Sequence, residues 1–400
     1  MTNEAKTARL DANLLQQSLT TNPRPLPSSS SLEVRTLEYH TDHMITVSWS
    51  VSIGWSTPSL QPYGPIPILP SASALNYATE CFEGLKVFRG QDGRLRLFRA
   101  IDNCERMRSS AARVALPDFE PKELERLIVA LCSLEAPKWL PKDDGEAALY
   151  VRPVLMGTDP ALATLRPRSA ILLIFLTVFP KAIGSITGPE QPQKVATPPR
   201  RSMKLLASGK EQSRAWPGGY GQHKLGANYG TTLVVQEQTK AQGFDQILWL
   251  FGSERFVTEA GASNFFIVLR AADKTWQLVT APLEGGLILP GITRASVLQL
   301  ARERLQETVG DGVRIDVVER DFTMSEVLEA HEKGNVVEAF VTGTALFVTP
   351  VGTIHFEGRD VEINCDPVDG VLCSQLVRGW LIGIMNGKEP HEWAPVVDEV

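Results

Sequence analysis

A mixed α/β protein in two domains is predicted by three features of the chain. Its 400 residues exceed what one ordinary core encloses. β-branched and aromatic runs share both halves with helical periods. A stretch in which Pro180, Gly184, Gly188, Pro189, Pro192, Pro198 and Pro199 crowd together breaks the chain near its middle, where neither helix nor strand is sustained. The predicted linker is 183–200, with a smaller N-terminal α/β domain over 32–182 and a larger C-terminal α/β domain over 201–386. Residues 1–31, rich in Ser, Thr, Pro and Asn, read as a disordered tail, and 387–400, without periodicity, as a surface tail.

In the first domain the runs 44–51 (MITVSWSV), 86–89 and 171–179 (ILLIFLTVF) read as strands, the last as one buried on both faces. Residues 102–114 read as a helix that Asp102 opens with Glu105 three positions on, and its apolar stripe is Ile101, Cys104, Met107, Ala111 and Val114. Beyond the linker, 246–251 (QILWLF), 264–269 (NFFIVL), 276–281 and 313–319 are strand candidates. The helix 293–308 repeats Val297, Ala301 and Leu305 every four residues.

Composition excludes several classes. Hydrophobic residues make up 43% and charged residues 22%, and no run approaches the roughly 20 apolar residues of a membrane helix. A net charge of −6, from 40 basic and 46 acidic residues without a basic cluster, argues against nucleic acid. Cys81, Cys104, Cys132, Cys365 and Cys373 are odd in number and never in metal-ligand spacing, so free thiols are expected, and no metal. Leu10, Leu14, Leu15 and Leu19 fall at near-helical spacing, but Arg is sparse and Glu4 and Asp11 intrude. That pattern favours a tail over a transit peptide, and a cytoplasmic location over the mitochondrial matrix.

Chemistry is concentrated in Gly218–Gly230, GGYGQHKLGANYG, where Lys224 sits among small residues five positions before Tyr229. Spacing alone makes it a surface-loop lysine. If desolvated, its amine has a lowered pKa and can attack a carbonyl as a Schiff-base lysine. Glu259 stands just before a strand candidate, where a carboxylate could face a cofactor ring. Gly291-Ile292-Thr293 opens a helix after Pro290, offering unpaired N–H groups to a phosphate, and Thr342-Gly343-Thr344-Ala345 forms a second hydroxyl-bearing turn. Each of these alone is an ordinary cap or turn.

In combination they are specific. FEGLKVFRG (82–90), LFRAIDNCERM (97–107), YVRPVLMGTDP (150–160), HKLGANYG (223–230), VTEAGASNFF (257–266), LILPGITR (287–294) and TGTA (342–345) occur in one order and spacing. Over about residues 39–366 the sequence resembles the branched-chain aminotransferases of the fold-type-IV pyridoxal-phosphate family. The resemblance implies a larger C-terminal pseudo-barrel domain, pyridoxal 5'-phosphate held between the domains, and a homodimer. It implies a ping-pong exchange between leucine, isoleucine or valine and 2-oxoglutarate, with small amino and oxo acids as the only partners besides a second copy. It makes Lys224 the cofactor lysine and proton shuttle, and Tyr229 the phenol at the cofactor's 3′ oxygen. Glu259 is assigned to the ring nitrogen, Arg106, Ile292, Thr293 and Thr344 to the phosphate, and Arg214 to the cofactor's vicinity. Tyr77, Phe82 and Tyr150 would surround the substrate side chain with Arg152 at the pocket edge, and Ala345 and its turn would serve the α-carboxylate.

Periodicity and resemblance disagree over Arg106, which the helical stripe places on the polar, solvated face. His223, if its run is extended, points away from Lys224. Two departures stand out: Ala262 replaces a threonine common after Glu-x-Gly, removing a hydroxyl near the substrate carboxylate, and Leu346 and Thr349 stand where some animal members of the resembled family carry a redox C-x-x-C. Ala262 keeps open a relative acting on D-amino acids or amines, or an aminodeoxychorismate lyase. A cofactor-free binding protein of the same fold is the reading from a different class.

Overall fold

The computed structural model describes residues 7–28, 31–142, 148–180, 202–271, 275–308, 314–345, 347–363, 365 and 372–400. They form two compact units. One holds the described residues up to 180 with His223–Ala227 and Gly383–Val400, and the other holds residues 202–222 and Asn228–Ile382. The predicted linker 183–200 lies outside the described residues.

The first unit contains β1 (Gln16–Gln17), β2 (His40–Ser50), β3 (Gly54–Trp55), β4 (Ser59–Pro62), β5 (Glu80–Phe82), β6 (Leu85–Arg89), β7 (Leu95–Leu97), β8 (Ala148–Gly157) and β9 (Ser169–Phe179). Its helices are α1 (Leu32–Arg35), α2 (Ser73–Tyr77), α3 (Ala100–Arg113) and α4 (Pro121–Trp139). The sheet runs β1-β4-β2-β9-β8-β6-β7. β9 is antiparallel to β2 on one side and β8 on the other, a central position that accounts for its unbroken apolar run. β8 alternates instead: Leu149, Val151 and Leu155 are wholly buried, while Tyr150, Arg152 and Val154 share the less buried face. α4 lies against β2, β8 and β9, and α3 against α4 and β5.

α3 begins earlier than its acidic residues suggest. Arg99 is its N-cap, in the left-handed region at φ 49°, and Asp102 pairs with the Arg99 guanidinium instead of capping. Arg99 is fixed by the chain's C-terminus, since its N–H donates to Trp393 O (2.7 Å) and its guanidinium lies over the Trp393 ring.

The second unit contains β10 (Met203–Ala207), β11 (Gln246–Phe251), β12 (Phe256–Ala260), β13 (Ser263–Arg270), β14 (Thr275–Thr280), β15 (Arg314–Glu319), β16 (Val336–Gly343), β17 (Phe347–Phe356) and β18 (Arg359–Glu362). The order β12-β11-β10-β17-β16-β13 closes on itself through β12–β13, so these strands form a barrel, from which β14 and β15 extend beyond β13. Closure leaves no edge inside the ring. Leu205, Leu248, Phe265, Ile267, Val341, Val351 and Ile354 fill its core. Its helices are α5 (Ala227–Gly230), α6 (Leu233–Ala241), α7 (Ile292–Leu300), α8 (Gln306–Thr308), α9 (Met324–Glu332) and α10 (Cys373–Met385). The predicted helix 293–308 is α7, a π-helical turn at Ala301–Leu305, and α8, with Val297, Ala301 and Leu305 buried as their spacing requires.

Both predicted tails need correction over their described residues. Leu10 is buried, β1 is parallel to β4, and the backbone N–H groups of Thr20 and Arg24 donate to His43 Nε2 (2.9 Å) and Asp42 Oδ1 (2.7 Å). At the other end β19 (Val396–Val397) pairs with β7, Trp393 meets Phe98 edge-on, and Glu399 pairs with the buried Arg89. Both segments are held by backbone bonds and single anchors, which leave no periodic trace in sequence.

Candidate active site

In the first unit the cluster is built around Lys224. Its segment joins the sheet side by side with β5: Leu225 bridges Cys81, and Phe82 N–H donates to Lys224 O (3.1 Å). From α3, Ser110 Oγ accepts the Lys224 N–H (2.9 Å). The amine lies 4.6 Å from the centre of the Phe82 ring, and burial pulls its pKa down to about 8, partly opposed by Tyr150 and Glu83. Desolvation of the charged form is the dominant cause. The surface-loop reading of Lys224 is therefore wrong.

Beneath it lies a carboxylate that the sequence reading left unassigned. Glu83, 1% exposed, accepts from Arg106 Nε at Oε1 (2.7 Å), and at Oε2 from Arg106 Nη2 (2.8 Å), Asn103 Nδ2 (2.8 Å) and Gly84 N (3.1 Å). Burial alone would raise its pKa, but Arg106, these hydrogen bonds and Lys224 together hold it below the ordinary range. The solvated position that periodicity gave Arg106 is also overturned, because its side chain is buried in a two-pronged pair with Glu83. The signal available in sequence was the acidic residue between Phe82 and Gly84, directly after the last residue of β5.

Phe82, Tyr150 and Arg152 come together on the open face of the sheet. The Arg152 guanidinium lies 4.7 Å from the Phe82 ring centre and 5.3 Å from that of Tyr150, and its Nε is buried without a hydrogen-bond partner among the described residues. Tyr150 stacks on Phe179, and its hydroxyl rests on Gly84, where a Cβ would stand 1.8 Å away. Glu80 packs its carboxylate on Gly226, and burial raises its pKa while Arg152 pulls it back. Tyr77 is not brought to this group; it stands 41% exposed at the end of α2. His223 is half-buried, with its pKa lowered by burial and by Arg113.

In the second unit Glu259, at the end of β12 and 2% exposed, is locked in place. Its Oε1 accepts from Leu289 N (2.9 Å) and Asn264 Nδ2 (3.1 Å), and its Oε2 is 2.8 Å from Arg214 Nε. Arg214 in turn donates to Leu287 O (3.1 Å). Asn264, another residue unassigned from sequence, also donates to Leu289 O (2.9 Å), and its side chain fills the space where a Cβ on Gly291 would fall. Gly291 is the N-cap of α7, and among the described residues no side chain caps it, so the first N–H groups of that helix, at Ile292 and the buried Thr293, are open to an acceptor from outside the helix. Asn264 pairs with Thr342 across β13 and β16, which places the half-buried turn of Thr344 and Ala345 just beyond. Ala262 is exposed in the β12–β13 turn, and Tyr229 is half-buried on α5. Leu346 lies outside the described residues.

The donor set fits a phosphorylated pyridine aldehyde. A desolvated amine suits the carbonyl carbon, a buried carboxylate suits a protonated ring nitrogen, and an uncapped helix start suits the phosphate. The model of the family described as amino-transferase class IV matches residues 80–354. The chain belongs to the class IV aminotransferases. Among relatives, it is 39% identical to the mitochondrial branched-chain-amino-acid aminotransferase of Schizosaccharomyces pombe, over 92% of this chain and 81% of that one. It is also 39% identical to the cytosolic enzyme of that name from Mus musculus, over 88% and 85%. The fold matches the crystal structure of the branched-chain aminotransferase from the thermophilic archaeon Thermoproteus uzoniensis with norvaline. That match has a TM-score of 0.64 and 22% identity, covering 88% of this chain and 99% of that one.

Proposed function

We propose that this class IV aminotransferase is a pyridoxal-phosphate enzyme that moves the amino group of leucine, isoleucine or valine to 2-oxoglutarate. The observation that carries the reading is the Lys224 amine, desolvated over Phe82 with Tyr150 and Arg152 beside it. The relatives' names supply the substrate class. Bound pyridoxal phosphate supplies a carbonyl carbon for amines and a ring that accepts electron density when an α-proton leaves.

The protein's own groups do the rest. Lys224, a nucleophile only as the free amine, would hold the cofactor's carbonyl carbon and would serve as the acid and base that moves the substrate's α-proton. Glu259, paired with Arg214 and bonded by two N–H donors, would favour the protonated ring nitrogen as a carboxylate. Tyr229 would bond the cofactor's 3′ oxygen. The N–H groups at Ile292 and Thr293, with Thr344 and Arg106, would hold the phosphate. Phe82 and Tyr150 form the apolar wall, without Tyr77, which stands exposed away from them, and Ala345 and the neighbouring Ala262 turn serve the α-carboxylate. Arg152 stands ready for the side-chain carboxylate of glutamate, which costs several kcal/mol to desolvate unpaired. A homodimer is part of the proposal, as is residence in the cytoplasm or the mitochondrial matrix; the relatives' names print cytosolic and mitochondrial. Among the described residues no helix is long and apolar enough to cross a membrane.

The test is a panel of amino acids offered with 2-oxoglutarate to the purified protein and to Lys224→Ala. Turnover confined to leucine, isoleucine, valine and glutamate in the parent, and lost in the folded variant, is the expected result. Leucine turnover by Lys224→Ala near the parent's rate would remove Lys224 from the reaction.

A further inference from the structure

The assignments above leave one buried amine unused. Lys86 lies in β6 directly opposite Tyr150 of β8, so the two side chains leave the sheet on the same face, with Arg152 next along that face. The residue is 5% exposed, and its ammonium nitrogen sits 3.7 Å from the centre of the Phe179 ring, the ring on which Tyr150 stacks. Among the described residues nothing accepts a hydrogen bond from Lys86 or forms an ion pair with it. β6 is flanked by β7 and β8. From β8 the ionisable groups on this face are Tyr150 and Arg152; from β7 it is Arg96, already bound to Asp92; β9 contributes the uncharged Thr177 and Phe179. Burial without a counter-charge lowers the pKa of Lys86 to about 7.

We propose that Lys86 is a specificity residue whose proton follows the substrate: neutral while a branched aliphatic side chain lies on this face, protonated when the side-chain carboxylate of glutamate or 2-oxoglutarate replaces it. The proposal rests on the transaminase reading of the same face. One pocket must take both side chains, and a cation that suits the carboxylate harms the aliphatic group unless it can be discharged. A guanidinium does not lose its proton in a protein, whereas a buried lysine amine does. Arg152, cushioned on two rings, supplies the permanent charge at the edge, and Lys86 supplies the charge that solvent can lend and withdraw.

The experiment uses the cofactor-loaded enzyme at pH 8, where roughly nine-tenths of an amine of pKa about 7 is neutral. Two non-reacting acids, glutarate and 4-methylvalerate, are titrated in weak buffer while proton uptake is followed. Both carry the carboxylate that stands for the substrate's own, so proton movements it causes elsewhere cancel in the difference. Glutarate takes up more protons than 4-methylvalerate, by close to one per site, and the excess disappears in Lys86→Met and Lys86→Arg. In separate half-reactions, Lys86→Met lowers the ratio of kcat/KM for glutamate to that for leucine at least tenfold. Lys86→Arg restores that ratio by lowering the leucine value. Equal proton uptake from the two acids in the parent, or an excess that survives in Lys86→Met, overturns the proposal. A holoenzyme whose cofactor leucine does not convert to the amino form overturns the transaminase reading itself, an outcome the leucine half-reaction reports separately.

Discussion

Glu83 sits where a single charge reaches two cations, binding Arg106 through both oxygens and stabilising the protonated form of Lys224. Because the Lys224 amine attacks only when deprotonated, attachment of pyridoxal phosphate to the apoprotein accelerates as pH rises through about 8 and levels off above it. Glu83→Gln removes the nearby negative charge, so the midpoint moves to lower pH; a midpoint that stays put would mean that Glu83 does not act on Lys224. The other carboxylate works through its own pair. Glu259→Gln keeps the hydrogen bonds of Leu289 and Asn264 within reach but gives up the negative charge that faces Arg214. Cofactor binding survives, while turnover drops by about a hundredfold, the cost typical of losing electrostatic stabilisation where charge develops. Comparable kcat in parent and variant would free Glu259 of that role.

At the scale of elements, the turn between β5 and β6 carries more constraint than its sequence advertises. Gly84 lies under Tyr150, and a methyl there would fall 1.8 Å from the phenol oxygen and 2.6 Å from the ring carbon bearing it. Gly84→Ala therefore drives the Tyr150 ring off Phe179 at an overpacking cost of about 1–3 kcal/mol. Tyr150→Ala removes the obstacle, so the two changes combine to much less than their sum in urea unfolding; strict additivity would show that the ring does not rest on this turn. Strands such as 246–251 and 171–179 were legible because burial on one or both faces writes itself into side-chain alternation or unbroken apolar runs. The same pattern misplaced Arg106, since periodicity ranks residues by hydrophobicity and has no means of seeing that Glu83 would arrive from another element. Asn264 escaped for a related reason: its worth lies in joining Glu259, Leu289 and the start of α7, three places far apart in the chain. Lys224, Glu259 and α7 each drew notice by a local pattern, but locally Lys224 read as a surface-loop lysine and the other two as an ordinary strand end and helix cap, and only the order of seven motifs set them apart.

At the scale of the whole chain, the path leaves the first unit for the barrel, comes back at His223–Ala227 with Lys224, and returns for good at Gly383. The C-terminal return is what the sequence hid most completely, and it is structural. Trp393 buries its ring against Phe98, Val397 is 3% exposed, and Glu399 neutralises Arg89, whose guanidinium is otherwise satisfied by Leu140 O (2.8 Å) and Gly93 O (2.7 Å). Removing residues 396–400 deletes β19, exposes part of β7 and leaves a buried guanidinium short of its carboxylate. Those losses amount to about 2–5 kcal/mol by area and by the cost of breaking a buried pair. The damage falls on one unit, because each has its own core and its own hydrogen-bonded sheet. Hydrogen exchange on the truncated protein therefore shows protection lost in β6, β7 and the start of α3, while the barrel strands β11, β13 and β16 keep theirs. Lys224 is held by β5 and α3 of the weakened unit, so cofactor retention falls along with that protection. A uniform loss of protection across both sheets would show instead that the two units unfold as one, and that the C-terminal strand stabilises the molecule without regard to place.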